Sequence, residues 1–263
     1  MTSPSLVPLD CVLLAAGTPQ PGQPLYEETA GRPKALLDVA GRPLAQWVLD
    51  ALASAEGIGR VLLVGSPELD RLHYEGDLER IGGSGDLVDN LYTGIERLLE
   101  LDPTVERAAY CWSDIPLVTG TMLDVFLAGT VGWVDVEAGL VARGEVEERF
   151  PEVDERWLHF REGDFIAADF GVFRPRMAAA VRAHLEALVP ERKSPLRQAW
   201  RVGPGLLVTY LLGRLSLRGL EARVERRYAV RARIQRVADP ELGLDVDGPV
   251  NLEICRRVLA GSG

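Results

Sequence analysis

Four short stretches of the chain carry residue types suited to chemistry on phosphates. In "CVLLAAG", residues 11–17, an apolar run passes directly into Ala15-Ala16-Gly17 and a loop rich in glycine and proline. Backbone N–H groups at such a strand end can converge on phosphate oxygens, and Gly17 has no side chain to block their approach. An ordinary glycine turn would look the same. The loop closes on Lys34, one of only two lysines against 27 arginines, the other being Lys193. A chain that otherwise uses arginine for positive charge retains a compact ammonium here, which a guanidinium does not replace. Asp114 ends the apolar run "AAYCW" two residues before Pro116, which cannot continue a sheet ladder, so its carboxylate projects into a strand-end crevice. Asp247 stands just before Pro249 at the mouth of a last helix, with Asp245 as a two-residue alternative; an aspartate there is also a favoured N-cap.

The elements that must position these residues follow from hydrophobic periodicity. Strand-like runs "CVLLAA", "RVLLVG" and "RAAYCWSD" alternate with helices from Pro43 to about Ser54 and from about Asp86. The first helix carries Leu44, Trp47, Val48, Ala51, Leu52 and Ala55 on one face, the second Leu87, Leu91, Ile95 and Leu98. Such alternation predicts parallel βαβ units, whose ligands collect at the carboxyl ends of the strands. Further strands are expected in "VEAGLVAR", "DFIAADFGVFRP" and "AVRARIQ", and helices at about 175–189, 194–213 and 216–226. The charged stretch 143–156, "RGEVEERFPEVDER", reads as a solvated loop or hairpin. The turn "DVDGP" leads into a helix with Val250, Ile254 and Val258 on one face.

Taken in order, "LLAAG", "RPKALLDVAGRPL", "GGSGDLVDN", "WSDIPLV" and the late "GLDVDGPVNLE" resemble the nucleotidyltransferases of the glycosyltransferase-A type. That superfamily includes sugar-phosphate nucleotidylyltransferases and enzymes acting on molybdopterin or methylerythritol phosphate. The resemblance covers residues 10 to about 120 well. It implies a three-layer αβα fold with a mostly parallel sheet, in a single domain over 1–263. A nucleotide-binding half would span about 1–120 and an acceptor half about 121–263. It also implies attack of a small phosphorylated acceptor on the α-phosphorus of a nucleoside triphosphate, with pyrophosphate leaving.

Site roles follow from the same resemblance. Ala15, Ala16 and Gly17 would cradle the triphosphate, and Gly82 and Gly83 would lie against the base. Lys34 would neutralise the α-phosphate, and Asp114 and Asp247 would hold magnesium. The pattern departs from the family in two places. Relatives carry an arginine in the loop after the first strand, but counting back from Lys34 places Pro24 there, so Arg32 is expected to supply the guanidinium. Where relatives carry an asparagine near the acceptor, this chain has Ala167-Ala168-Asp169, so Asp169 faces an acceptor of different character or has a structural role. Lys193, between Arg192 and Ser194, is a candidate acceptor contact.

Composition narrows the alternatives. A net charge of −10 with scattered arginines gives nucleic acid no basic footprint. The apolar stretch "GPGLLVTYLLGRLSL" is interrupted by Arg214 and too short for a bilayer, and the N-terminus lacks signal-peptide character. A cytoplasmic protein is expected, with Cys11, Cys111 and Cys255 as buried free thiols. Two other readings compete with nucleotidyl transfer. One is a nucleotide-sugar-dependent glycosyltransferase of the same fold, the other a nucleotide-binding module that has lost its chemistry.

Overall fold

The structure, a computed structural model, describes residues 7–84, 87–153, 155–182, 209, 210 and 213–261. Its centre is an eight-stranded mixed sheet. In chain order the strands are β1 (Leu9–Leu14), β4 (Ile58–Gly65), β5 (Leu78–Gly82), β6 (Ala108–Trp112), β7 (Val136–Ala142), β8 (Leu158–Phe160), β9 (Gly163–Phe173) and β10 (Ala232–Val237). A separate two-stranded hairpin joins β2 (Asp38–Val39) to β3 (Arg42–Pro43). Across the large sheet the order is β10-β7-β9-β6-β1-β4-β5, with β8 paired to β9. β9 runs antiparallel to its neighbours, while β1, β4, β5 and β6 pair in parallel, as do β7 and β10.

Both faces are covered, which explains why the strands read as continuous apolar runs. Along β1, Cys11, Leu13 and Ala15 join one core cluster while Val12 and Leu14 join the other. The first face is packed by α2 (Leu44–Ser54), α4 (Gly120–Ala128) and α5 (Arg143–Arg149). The second is packed by α3 (Leu87–Leu101) and α6 (Pro175–Ala180), with α7 (Leu217–Tyr228) lying over Leu140 and Phe165. A third cluster joins α8 (Pro249–Ala260) to Leu25, Leu37, Leu117 and Phe150 above the sheet, so the C-terminal helix clamps the loop leading to Lys34. That loop contains one short helical turn, α1 (Tyr26–Thr29).

Several expectations are corrected. Residues 143–149 form α5 and not a solvated loop, because Val146 and the following Phe150 are buried and Arg143 pairs with Glu147 one turn on. The buried stripe of α3 runs through Val88, Tyr92, Ile95 and Leu98, one residue beyond the leucines chosen at its start. In α8 the buried residues are Asn251, Leu252, Ile254 and Cys255, whereas Val250 is exposed. The expected helix at 175–189 is seen over Pro175–Ala180, and its residues 183–189 lie outside the described residues, as does nearly all of 194–213. No helix among the described residues is long and apolar enough to cross a membrane. All three cysteines are buried and free.

Candidate active site

Four neighbouring strands, β5, β4, β1 and β6, end together, and short backbone hydrogen bonds tie the peptides just beyond them. Ala15 N–H donates to Val64 C=O (2.9 Å), Ser113 N–H to Leu14 C=O (3.1 Å) and Gly83 N–H to Gly65 C=O (2.8 Å). The next two amides, of Ala16 and Gly17, donate to no group among the described residues, and Gly17 is exposed. Beside them Gly83 admits no side chain: a Cβ would stand 2.9 Å from Asn90 Oδ1 and 3.0 Å from Ala16 Cβ. Asn90 also accepts from Ser84 N–H (2.8 Å) and so pins the turn to α3. Gly82 lines a cavity of about 190 Å³ together with Leu63, Ser66, Asp70 and Arg80. The buried Ser66 hydroxyl has no hydrogen-bond partner among the described residues.

The loop from Gly17 to Lys34 is closed by Lys34 N–H donating to Gly17 C=O (2.9 Å). That bond delivers the Lys34 side chain to the strand ends. Its ammonium lies 2.7 Å from Asp114 Oδ2 and 2.5 Å from Asp247 Oδ1. Burial works against the charge of Lys34, but Asp114 and Asp247 outweigh it and hold the amine above its ordinary value. Asp114 and Asp247 come together because Val246 N–H donates to Asp114 C=O (2.9 Å), hanging the 245–247 turn on the end of β6. Asp245 joins them, and one carboxylate oxygen from each of Asp114, Asp245 and Asp247 lies within 4.8 Å of the others. Both members of the pair left open by the sequence therefore face the cluster.

The residues present fit a hard divalent cation. Three carboxylate oxygens converge, and two of the carboxylates already clasp a positive group. Among the described residues Lys34 is the cation that meets these carboxylates. Burial, then Asp114 and Asp247, push the Asp245 carboxyl up to about 8, with Glu155 adding to the rise and Lys34 opposing it. Asp169 is pushed well above the usual carboxylate range by burial and then by Asp245, Asp114 and Asp247.

Asp169 reaches this crevice through a register irregularity. Ala138 pairs with Gly171 and Leu140 with Ala167, so Ala168, Asp169 and Phe170 on β9 face the single Gly139 on β7. A Cβ at Gly139 would stand 2.7 Å from Ala168 Cβ, so the bulge packs where only glycine fits. The Asp169 carboxyl group makes no hydrogen bond among the described residues.

Other predicted residues fall elsewhere. Arg32 is exposed, its Nε donating to Thr29 C=O (3.2 Å), and it touches none of the three carboxylates. Pro24 lies in the same loop, beyond the turn at Gly22. Lys193 lies outside the described residues, as do Gly85 and Asp86. Sequence reasoning missed Ser66, Asn90, Glu155 and Asn251. A local signal exists for Asn90 and Asn251, whose partners Ser84 and Asp245 lie six residues back across the start of a helix, and none for Glu155, 96 residues from Asn251.

Comparisons with known proteins place this arrangement. A hypothetical transferase from Thermus thermophilus is 30% identical, with a TM-score of 0.80 over 94% of this chain and 100% of that one. A CMP:2-keto-3-deoxy-manno-octonic acid synthetase complexed with CTP shares the fold at 16% identity, with a TM-score of 0.57 over 98% and 100% of the two chains. So does a 4-diphosphocytidyl-2C-methyl-D-erythritol synthase from Anaerococcus prevotii, at 10% identity, with a TM-score of 0.58 over 96% of each chain. No curated protein sequence gives a significant match. The family model of the MobA-like NTP transferase domain matches residues 11–199, which include most of β1, the Lys34 loop, Asp114 and Asp169, and the chain therefore belongs to the MobA-like NTP transferase family.

Proposed function

We propose that the protein is a magnesium-dependent nucleotidyltransferase that moves a nucleoside monophosphate from a nucleoside triphosphate to a small phosphorylated acceptor. An acceptor oxygen attacks the α-phosphorus, the bond to the β-phosphate oxygen breaks, and pyrophosphate leaves. The observation that carries this reading is the Lys34 ammonium held between Asp114 and Asp247 beside the undonated amides of Ala16 and Gly17.

In this reading the two amides bind phosphate oxygens without side-chain rearrangement. Lys34 hands its positive charge to the α-phosphate as negative charge grows there, the kind of fixed stabilisation that lowers such barriers most. Asp114 and Asp247, with Asp245, would hold magnesium, which when bound supplies a Lewis acid for the phosphate oxygens. Gly83 keeps its turn flat against Ala16, and the cavity lined by Gly82, Asp70 and Arg80 offers the base a recess. Arg32, exposed on its loop, is assigned to the triphosphate tail, and Asp169 and Lys193 to the acceptor side. The two halves, about 1–120 and 121–263, act as one domain around the crevice. Buried free thiols suit a reducing, cytoplasmic setting.

A nucleotide-sugar-dependent glycosyltransferase is favoured by one observation, the Asp245-x-Asp247 pair that contributes two of the three cluster oxygens. The products separate the readings. Nucleotidyl transfer releases pyrophosphate, and glycosyl transfer from a nucleotide sugar releases a nucleoside mono- or diphosphate. The purified protein, given each nucleoside triphosphate with magnesium and a panel of sugar and alcohol phosphates, is expected to release pyrophosphate with at least one pairing. Lys34→Ala is expected to lower that turnover by about 10² or more. Full turnover in the variant overturns the role of Lys34, and nucleoside diphosphate as product overturns the reaction.

A further inference from the structure

We infer that Asn251 is a positioning residue that sets the spacing of the carboxylate cluster by fixing one peptide plane. Asn251 lies in the first turn of α8 and is 4% exposed. Its Nδ2 donates twice, to Asp245 C=O at 2.8 Å and to Glu155 Oε1 at 2.6 Å. The Asp245 carbonyl belongs to the same peptide unit as Val246 N–H, which donates to Asp114 C=O at 2.9 Å. That peptide is thus gripped at its oxygen by Asn251 and at its nitrogen by the end of β6. Asp245 stands on one side of it and Asp247 one residue past the other, so the grip dictates where both side chains start.

An asparagine in the first turn of a helix ordinarily invites a capping role. Here no side chain caps the N-terminus of α8, whose N-cap residue is Gly248. Asn251 reaches back six residues to Asp245 instead. Both partners of Nδ2 are acceptors, which fixes the amide orientation and turns Oδ1 away from them. Oδ1 is buried with no hydrogen-bond partner. A buried carbonyl left unsatisfied lowers stability and calls for an explanation. Delivery of the two-pronged donor to Asp245 and Glu155 provides one. Glu155, on the connection from α5 to β8, anchors the outer prong, so the strap links that connection to the 245–247 turn.

This inference rests on the metal reading of the cluster, and the test separates the two. Mn²⁺ serves as the probe, with free Mn²⁺ followed by electron paramagnetic resonance in the absence of nucleotide. Wild-type protein is expected to bind Mn²⁺, and Asn251→Ala, folded by circular dichroism, to bind it about 10-fold or more weakly, as for other residues that orient metal ligands. Magnesium-free nucleotide binding should be unchanged in that variant. Absence of Mn²⁺ binding by wild type overturns the metal reading and this inference with it. Equal Mn²⁺ affinity in wild type and a folded Asn251→Ala overturns this inference alone. A pair at Glu155 keeps the test open if Asn251→Ala does not fold. Glu155→Gln retains the acceptor for Nδ2 and removes the charge, whereas Glu155→Ala removes both. A greater loss of affinity in Glu155→Ala than in Glu155→Gln supports the strap, and equal losses overturn it by assigning the effect to charge.

Discussion

Carboxylates gather along the two edges of the central sheet formed by its strand ends, one where β7 and β10 begin and one where β1 and β6 end, and the two groups are neutralised in opposite ways. At the edge where β7 and β10 begin, Asp135 meets Arg231 at 3.0 Å and Arg174 at 3.8 Å. Glu137, 1% exposed, meets Arg233 at 2.6 Å and Arg107 at 3.3 Å and accepts from Val131 N–H at 2.7 Å. Burial opposes ionisation of Asp135, but its hydrogen bonds with Arg231 and the two guanidinium charges hold its carboxyl below the usual range. At the other edge Asp114, Asp245 and Asp247 converge with Asp169 nearby, and Lys34 is the cation in contact with them among the described residues. There the carboxyls of Asp245 and Asp169 are driven up. One edge is satisfied and holds strands together. The other sets several carboxyl groups around the one ammonium of Lys34 that meets them among the described residues.

The largest effect that tests this contrast is at the satisfied edge. Glu137→Ala would leave Arg107 and Arg233 facing each other without their shared carboxylate. Removing one partner of a buried ion pair costs about 3–5 kcal/mol. A fall in Tm of about 10 °C is expected by calorimetry. An unchanged Tm would show that the arginines find solvent as readily as they find Glu137, and the edge would lose its structural assignment.

The opposite sign is expected at the Lys34 edge. Burial, then Asp114 and Asp247, push the Asp245 carboxyl of the folded protein up to about 8, against an ordinary aspartate value of 3.8 in the unfolded chain. Between those limits the native state binds more protons, so this group lowers stability as pH rises from about 4 to about 8. Asp245→Asn removes that loss. In metal-free buffer at pH 8 its Tm should exceed the wild-type value by about 2 °C or more, the size of an effect of about 1 kcal/mol in a chain of this length. At pH 4 the two proteins should differ little. A variant less stable than wild type at pH 8 would mean that Asp245 is held by bonds its charge makes, and the two edges would not be opposites.

The contrast also marks what the sequence discloses. Strand ends are legible because apolar runs stop abruptly: "CVLLAA" and "AAYCW" place Ala15 and Asp114 at one edge before any contact is known. The rarity of lysine draws attention to Lys34, and the structure has its ammonium on Asp114 and Asp247. The grip on the 245–246 peptide is not legible, since it depends on Asp114, far off in sequence, accepting from Val246 N–H, and on Glu155, 96 residues from Asn251, holding the Asn251 amide. Nor is the bulge that turns Asp169 inward, because register is a property of paired strands and not of one. The arginine edge is equally hidden. Glu137 reads as a polar residue in a half-exposed strand until β10 brings Arg233 beside it. Helix α5 was obscured by its charges, whose spacing suits an exposed helical face once Val146 is counted as its buried side.

The smallest expected effect concerns whether the Lys34 edge draws on a second cation. Arg32 is exposed, and its Nε is engaged by Thr29 C=O within its own loop. A guanidinium so placed can reach an incoming triphosphate only through water-exposed contacts, which are worth little because solvent and salt screen them. Arg32→Ala should therefore raise the KM for the nucleotide by about threefold and leave kcat nearly unchanged. The rise should shrink as salt is added, since screening already weakens the contact that the substitution removes. A fall in kcat comparable to that of Lys34→Ala would place Arg32 on the reacting phosphate. The edge would then need two cations to work, and Lys34 would cease to be its distinguishing charge.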